Sequence, residues 1–177
     1  MDFYEKTVQS KEIYNGRIIR VRVDQVELPS GLNSQREIVE HSGGIAIIAV
    51  TPEGQLLMVE QYRKPVEQVL LELPAGKLES GEEPWVCARR ELSEETGYQA
   101  GKLDYLFSFY TSPGFSNEHL HLFRADDLQE VEAVPDQDEL LKVVRLNKDE
   151  IIPLLQAGKI RDGKTITGLL YYLGVGR

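Results

Sequence analysis

The sequence predicts a mixed α/β fold of the α+β kind, a sheet covered by helices. Segments of strand length and alternation dominate the chain, and three segments with helical spacing lie between and after them. The regular strand–helix–strand alternation of a doubly wound dinucleotide fold is missing. At 177 residues, 41% hydrophobic and 28% charged, the chain fits one soluble globular domain spanning residues 1–177. No repeat or low-complexity linker marks a boundary inside it.

The elements follow in order. Residues 17–28, RIIRVRVDQVEL, alternate apolar and polar as a half-exposed strand does. LPSGLNSQ supplies the Pro, Ser, Gly and Asn of a turn into a second strand near Arg36–Glu40. GIAIIAV, 44–50, is a nearly continuous apolar run and predicts a strand buried on both faces. TPEG turns the chain into QLLMVEQY, 55–62, and VLLEL, 69–73, is a short strand closed by Pro74. Ser80 with Glu83 reads as a capping box, with Pro84 in the first turn and Gly97 at the end. Trp85, Ala88, Leu92 and Thr96 would form that helix's core face. Strands are expected at 103–110, 119–123 and 139–146. Asn147 and Glu150 cap a short helix near 148–157 that contains Pro153, and Asp162 caps a last helix, 163–173. In that last helix Ile166, Leu169, Leu170 and Leu173 would face inward.

Charge narrows the function classes. A formal net charge of −9 disfavours nucleic acid and anionic membranes as partners, because both would repel the protein. An anionic substrate would then need metal ions or local arginines to hold it. Cys87 is the only cysteine, so no intrachain disulfide forms and a cytoplasmic location is expected. It reads as a small packed helix residue. The N-terminal stretch MDFYEKTVQSKEIY lacks the pattern of a signal peptide, and no apolar stretch has the length of a membrane span.

GKLESGEEPWVCARRELSEETGY, 76–98, crowds glutamates onto one helical segment, where like charges at helical spacing repel. Glu91, Glu94 and Glu95 stand at i, i+3 and i+4, so they project from one face. That face borders the Ala88/Leu92 face and so lies against the body of the protein. A bound hard cation such as Mg²⁺ would relieve the repulsion, with the Ala75 carbonyl as a further oxygen ligand. Zinc is disfavoured, since Cys87 is alone and His41, His119 and His121 are scattered. His119 and His121 share a strand face and read as structural.

Gly76, five residues, Glu82, seven residues, Arg90-Glu91-Leu92, one residue, Glu94-Glu95, one residue, Gly97-Tyr98 resembles the Nudix box at every position. Leaving out the apolar positions Leu92 and Tyr98, seven fixed identities at background frequencies of roughly 5–9% give chance agreement of about one in 10⁸ per window. The resemblance implies an α/β/α sandwich with a mixed sheet and a loop–helix–loop catalytic motif. It also implies hydrolysis of a nucleoside diphosphate linked to another moiety, with Mg²⁺ or Mn²⁺ as cofactor. By the same resemblance Glu91 and Glu95 are the main metal ligands, Glu94 and the Ala75 carbonyl complete the site, and Glu82 supports the loop or reaches a metal through water. Arg90 would orient these glutamates.

The flanks resemble the ADP-ribose pyrophosphatase branch: REIVEHSGGIAIIAV, VEQYRKP, LELPAGKLE, the box, then SPGFSNE with Pro113 sixteen residues beyond Gly97. This implies cleavage of ADP-ribose to AMP and ribose 5-phosphate. Arg63 and Arg36 would contact the substrate phosphates, and Pro113 and Glu118 would lie on the substrate side. The acid-rich stretch 126–139 would carry the general base, Glu139, with Asp136 and Asp138 as competitors and Glu94 as the alternative within the box. Family members often carry an acid where Gln137 stands here. Tyr14, Phe115 and Tyr62 are candidate adenine platforms. Residues 1–42 form an N-terminal strand region expected to serve a homodimer. Another nucleoside diphosphate sugar, such as GDP-mannose, is the alternative substrate. A non-catalytic ligand sensor is disfavoured because the box carboxylates are all kept.

Overall fold

The computed structural model describes residues 3–132 and 140–175. Contacts divide the chain into two compact units, Met1–Gly43 with Tyr110–His119, and Gly44–Phe109 with Leu120–Arg177.

In the first unit β1 (Lys6–Asn15), β2 (Ile19–Glu27) and β3 (Asn33–His41) form an antiparallel sheet in the order β1-β2-β3. The segment 110–119 joins β3, with the Val39 amide donating to the Phe115 carbonyl (2.8 Å) and the Asn117 amide to the Val39 carbonyl (3.2 Å). β1 is exposed along its whole length. Its polar sequence gives no inward-facing pattern, which is why periodicity alone did not find it.

The second unit is built on a seven-stranded mixed sheet in the order β10-β5-β4-β9-β8, with β6 on β5 and β7 on β4. Its strands are β4 (Gly44–Val50), β5 (Leu56–Arg63), β6 (Gln68–Glu72), β7 (Ala75–Lys77), β8 (Tyr98–Tyr110), β9 (His119–Glu130) and β10 (Leu141–Leu146). β4 and β9 pair in parallel. As its apolar run predicts, β4 is buried on both faces. Ile45, Ile47 and Ala49 pack with Cys87, Ala88 and Leu92 of helix α1 (Pro84–Thr96). Ala46 and Ile48 pack with Ile151 of α2 (Lys148–Gln156) and Leu169 of α3 (Gly163–Leu173). Helices therefore cover both faces of the sheet.

The capping boxes divide. Asn147 and Glu150 close one at α2 as expected, and the Asp162 carboxylate accepts from the Thr165 amide at α3. Pro153 sits inside α2, which continues through it. Leu169 is buried and Ile166 and Leu173 pack on the core, but Leu170 is 39% exposed. The Ser80–Glu83 box does not form. Pro84, whose fixed φ and missing N–H suit a first helical position, starts α1 later, with Glu83 as N-cap. Trp85 is then half exposed under the Arg89 guanidinium, and Cys87 takes its expected place in the core. β8 and β9 also outrun their expected ranges. In β9 the acid-rich start of 126–139 is strand, because Arg124 clamps Asp126 (2.7 and 2.8 Å) and Leu128 is buried.

Candidate active site

A split in the sheet opens the site. The far end of β4 pairs with β5 through Ala49–Leu57 and Val50–Leu56, while its near end pairs with β7 through Gly44–Lys77 to Ala46–Ala75. β5 turns away to pair with β6 across a tight hairpin whose Glu67 adopts φ 52°. The corner Leu73-Pro74-Ala75 fills the gap, fixed by the Ile47 amide on the Pro74 carbonyl (2.9 Å).

α1 delivers its carboxylates to this corner. Glu91 and Glu95 are buried, 9% and 5% exposed, at the edge of the core. The Ala75 amide donates to Glu95 Oε2 (3.0 Å). A Cβ on Gly76 would fall 1.9 Å from Glu91 Cδ, so the carboxylate occupies the space that only glycine leaves free. Arg90 ties the face together. Its Nε and Nη2 donate to the two oxygens of Glu82 (3.0 Å each), and its Nη1 to Glu91 Oε1 (2.8 Å) and Glu94 Oε2 (2.9 Å). The hydrogen bond with Glu82 is the largest cause holding the Arg90 guanidinium above the ordinary arginine range, and it also holds the Glu82 carboxyl below the ordinary carboxylate range. Beneath them burial, with the Glu82 and Glu91 charges, pushes the Cys87 thiol up to about 12, so it is no nucleophile.

No three of the described acidic, histidine or cysteine side chains converge as a ready ligand set. The donors present nevertheless fit a hard divalent cation. They are all oxygens; those of Glu82, Glu91 and Glu94 converge on the Arg90 guanidinium, whose positive charge a cation could replace, and Glu95 lies on the Ala75 amide. Ala75 contributes its N–H to the contacts seen.

Arg63, at the end of β5, is clamped on Glu72 through Nε–Oε1 (2.9 Å) and Nη2–Oε2 (2.8 Å). That hydrogen bond is the largest cause raising the Arg63 pKa above the ordinary arginine value, and the charges of Glu72, Glu95 and Asp162 add to it. Glu72 and its second cation, Lys164, were missed by sequence reasoning. A glutamate inside the apolar run VLLEL was the available signal, since a carboxylate in a buried strand must be paired.

The first unit holds the other substrate-side candidates. Arg36 pairs with both oxygens of Glu5 (2.8 and 2.6 Å). Pro113 is exposed in a turn, and Glu118 accepts from the Thr111 hydroxyl (2.5 Å) and lies 3.7 Å from His41 Nδ1. Tyr14, Phe115 and Tyr62 are each more than half exposed, and His119 and His121 lie against Tyr110 and Tyr105. Glu139, Asp138, Asp136 and Gln137 lie outside the described residues.

Comparison with known proteins gives the family. The NUDIX domain matches residues 40–168. The chain belongs to the NUDIX family. A nucleoside diphosphate sugar hydrolase N-terminal domain matches residues 5–39, ahead of the NUDIX domain. The chain is 46% identical over 169 residues (94% of it, 91% of the relative) to an ADP-ribose pyrophosphatase of Bacillus subtilis. It is 47% identical over 171 residues (96% and 92%) to a methanol dehydrogenase activator of Bacillus methanolicus. It is 38% identical over 146 residues (77% and 76%) to a GDP-mannose pyrophosphatase of Yersinia enterocolitica. A solved ADP compounds hydrolase shares the NUDIX fold with a TM-score of 0.84 at 21% identity, covering 98% of this chain and 96% of that one. The glutamate face of α1 and the Ala75–Gly76 corner both fall inside the NUDIX match.

Proposed function

We propose that this NUDIX protein hydrolyses the diphosphate of ADP-ribose, giving AMP and ribose 5-phosphate, with Mg²⁺ or Mn²⁺ as cofactor. The observation that carries the reaction class is the gathering of Glu82, Glu91, Glu94 and Glu95 around Arg90 and the Ala75–Gly76 corner, and the 46% identity to the ADP-ribose pyrophosphatase of Bacillus subtilis supports the substrate. A bound divalent ion would neutralise charge on the nonbridging oxygens and lower the pKa of water.

The chain's own groups then divide the work. Glu91 and Glu95, with Glu94 and the Ala75 carbonyl, would hold the ion, and Glu82 supports them through Arg90. Arg63 takes the phosphates, because a planar guanidinium can bind two phosphate oxygens at once. Arg36 is a second phosphate contact, with Pro113 and Glu118 on the substrate side. Glu139 accepts the proton of the attacking water, and Asp136, Asp138 and Glu94 are the alternatives. The reading includes a cytoplasmic homodimer formed through the N-terminal strand region. No helix among the described residues is long and apolar enough to cross a membrane.

The GDP-mannose pyrophosphatase relative, at 38% identity over 77% of this chain, gives a second reading in which the sugar or base differs. Catalytic efficiency on a panel of ADP-ribose, ADP-glucose and GDP-mannose tests the choice. ADP-ribose is expected to lead by at least about tenfold, the discrimination that a few pocket contacts supply. A lead for GDP-mannose would replace the substrate and keep the reaction class.

A further inference from the structure

Glu72 is 1% exposed and meets two cations. Arg63 holds both of its oxygens, and Lys164 Nζ shares Oε2. Burial alone would raise this carboxyl's pKa, but the two partners outweigh it and keep Glu72 ionised. A buried carboxylate without a cation is costly. With two, it can release one.

The two cations are not equivalent. The Arg63 side chain is 40% exposed and the Lys164 side chain 13%. Lys164 also contacts Asp162 (3.1 Å), the N-cap of α3. Asp162 accepts from the Thr165 amide (2.9 Å) and hydroxyl (2.6 Å), and the Thr165 hydroxyl oxygen accepts from the Leu73 amide (2.9 Å). Lys164 is thus built into a frame joining α3 to the corner after β6. Arg63 is held on its strand end by Glu72 and faces solvent on its other side.

We propose that Lys164 is a positioning residue that keeps the Glu72 charge compensated, so that Arg63 can leave Glu72 and take the substrate's diphosphate. This rests on the reading of Arg63 as a phosphate contact. With Lys164 present, the departure of Arg63 leaves one cation between two carboxylates, Glu72 and Asp162. Without Lys164, the same departure strands a buried charge, and that penalty is subtracted from substrate binding. Arg63 then stays on Glu72.

Steady-state kinetics on ADP-ribose, with thermal melts, test this in Arg63→Ala, Lys164→Met, Lys164→Arg, Glu72→Gln and the Glu72→Gln/Lys164→Met pair. Lys164→Met should raise KM at least about thirtyfold with kcat changed by less than about threefold, the low end of what truncating one partner of a buried charge pair does. Lys164→Arg should recover most of the loss. Glu72→Gln should lower KM, and in its background Lys164→Met should no longer raise it, which a merely structural role would not produce. Should Lys164→Met fail to fold, Glu72→Gln and the double variant decide. A raised KM in Glu72→Gln would mean that Glu72 aims Arg63 and would overturn the inference. So would a wild-type KM in Lys164→Met when Arg63→Ala raises KM, an outcome that leaves the role of Arg63 standing. An unchanged KM in Arg63→Ala removes that role, and this inference with it.

Discussion

At the scale of single residues, the site is a set of acids each answered by a particular donor. Arg90 answers Glu82, Glu91 and Glu94, and the Ala75 amide answers Glu95. Glutamine at position 91 or 95 keeps an acceptor oxygen of nearly the same shape but loses the charge that a metal ligand needs. Glu91→Gln and Glu95→Gln should each lower kcat at least about 10²-fold, while the metal-free melting temperature holds or rises as repulsion is relieved. Added Mg²⁺ should partly rescue them; Glu139→Gln, if Glu139 is the base, should not be rescued. Glu72 makes a pH prediction. Its folded pKa lies below the ordinary 4.5, so its contribution to stability is present above that value and is lost as pH falls through the folded pKa. Melting temperature should drop as the solution is acidified below about pH 4.5, and Glu72→Gln should flatten that drop. Cys87, buried with its pKa pushed up to about 12, should resist a thiol reagent at pH 8 in the native protein and react fully in denaturant.

At the scale of elements, the division of β4 between β5 and β7 sets the Ala75–Gly76 corner against α1. Gly76→Ala should drive the Glu91 carboxylate from its seat, because the new Cβ would fall 1.9 Å from Glu91 Cδ. Activity should fall by at least about tenfold with a smaller change in melting temperature, since the displaced group is the end of one side chain. Elements with strong periodicity or caps were legible in the sequence: the apolar run of β4, and the capped α2 and α3. The start of α1 was not, because Ser80–Glu83 and Pro84 both signal an N-terminus and proline's backbone constraint wins. β1 was missed because no residue of it is buried, and the later part of β9 because its acids mask the buried positions Ala125 and Leu128. The box spacing exposed the glutamate face because helical periodicity fixes it. The Arg63–Glu72–Lys164 cluster joins residues far apart in sequence, so no local pattern could reveal it.

At the scale of the whole molecule, a protein of net charge −9 that takes an anionic diphosphate must carry its own positive counterparts. Arg63, Arg36 and a bound cation fill that role in the proposed reaction. β1 is exposed throughout and carries Val8, Ile13 and Tyr14, each more than half exposed; an uncovered apolar edge of this kind invites pairing. Light scattering should return twice the chain mass of 20.1 kDa, and Val8→Glu with Ile13→Lys should shift it to the monomer. The central claim is that the glutamate face catalyses attack of water on the diphosphate of ADP-ribose. Product analysis after incubation with ADP-ribose and Mg²⁺, run beside Glu95→Gln, tests it most directly. AMP and ribose 5-phosphate in equal amounts, with the variant slower by at least about 10²-fold, is the predicted result. ADP with free ribose, or equal rates in the two proteins, would contradict it.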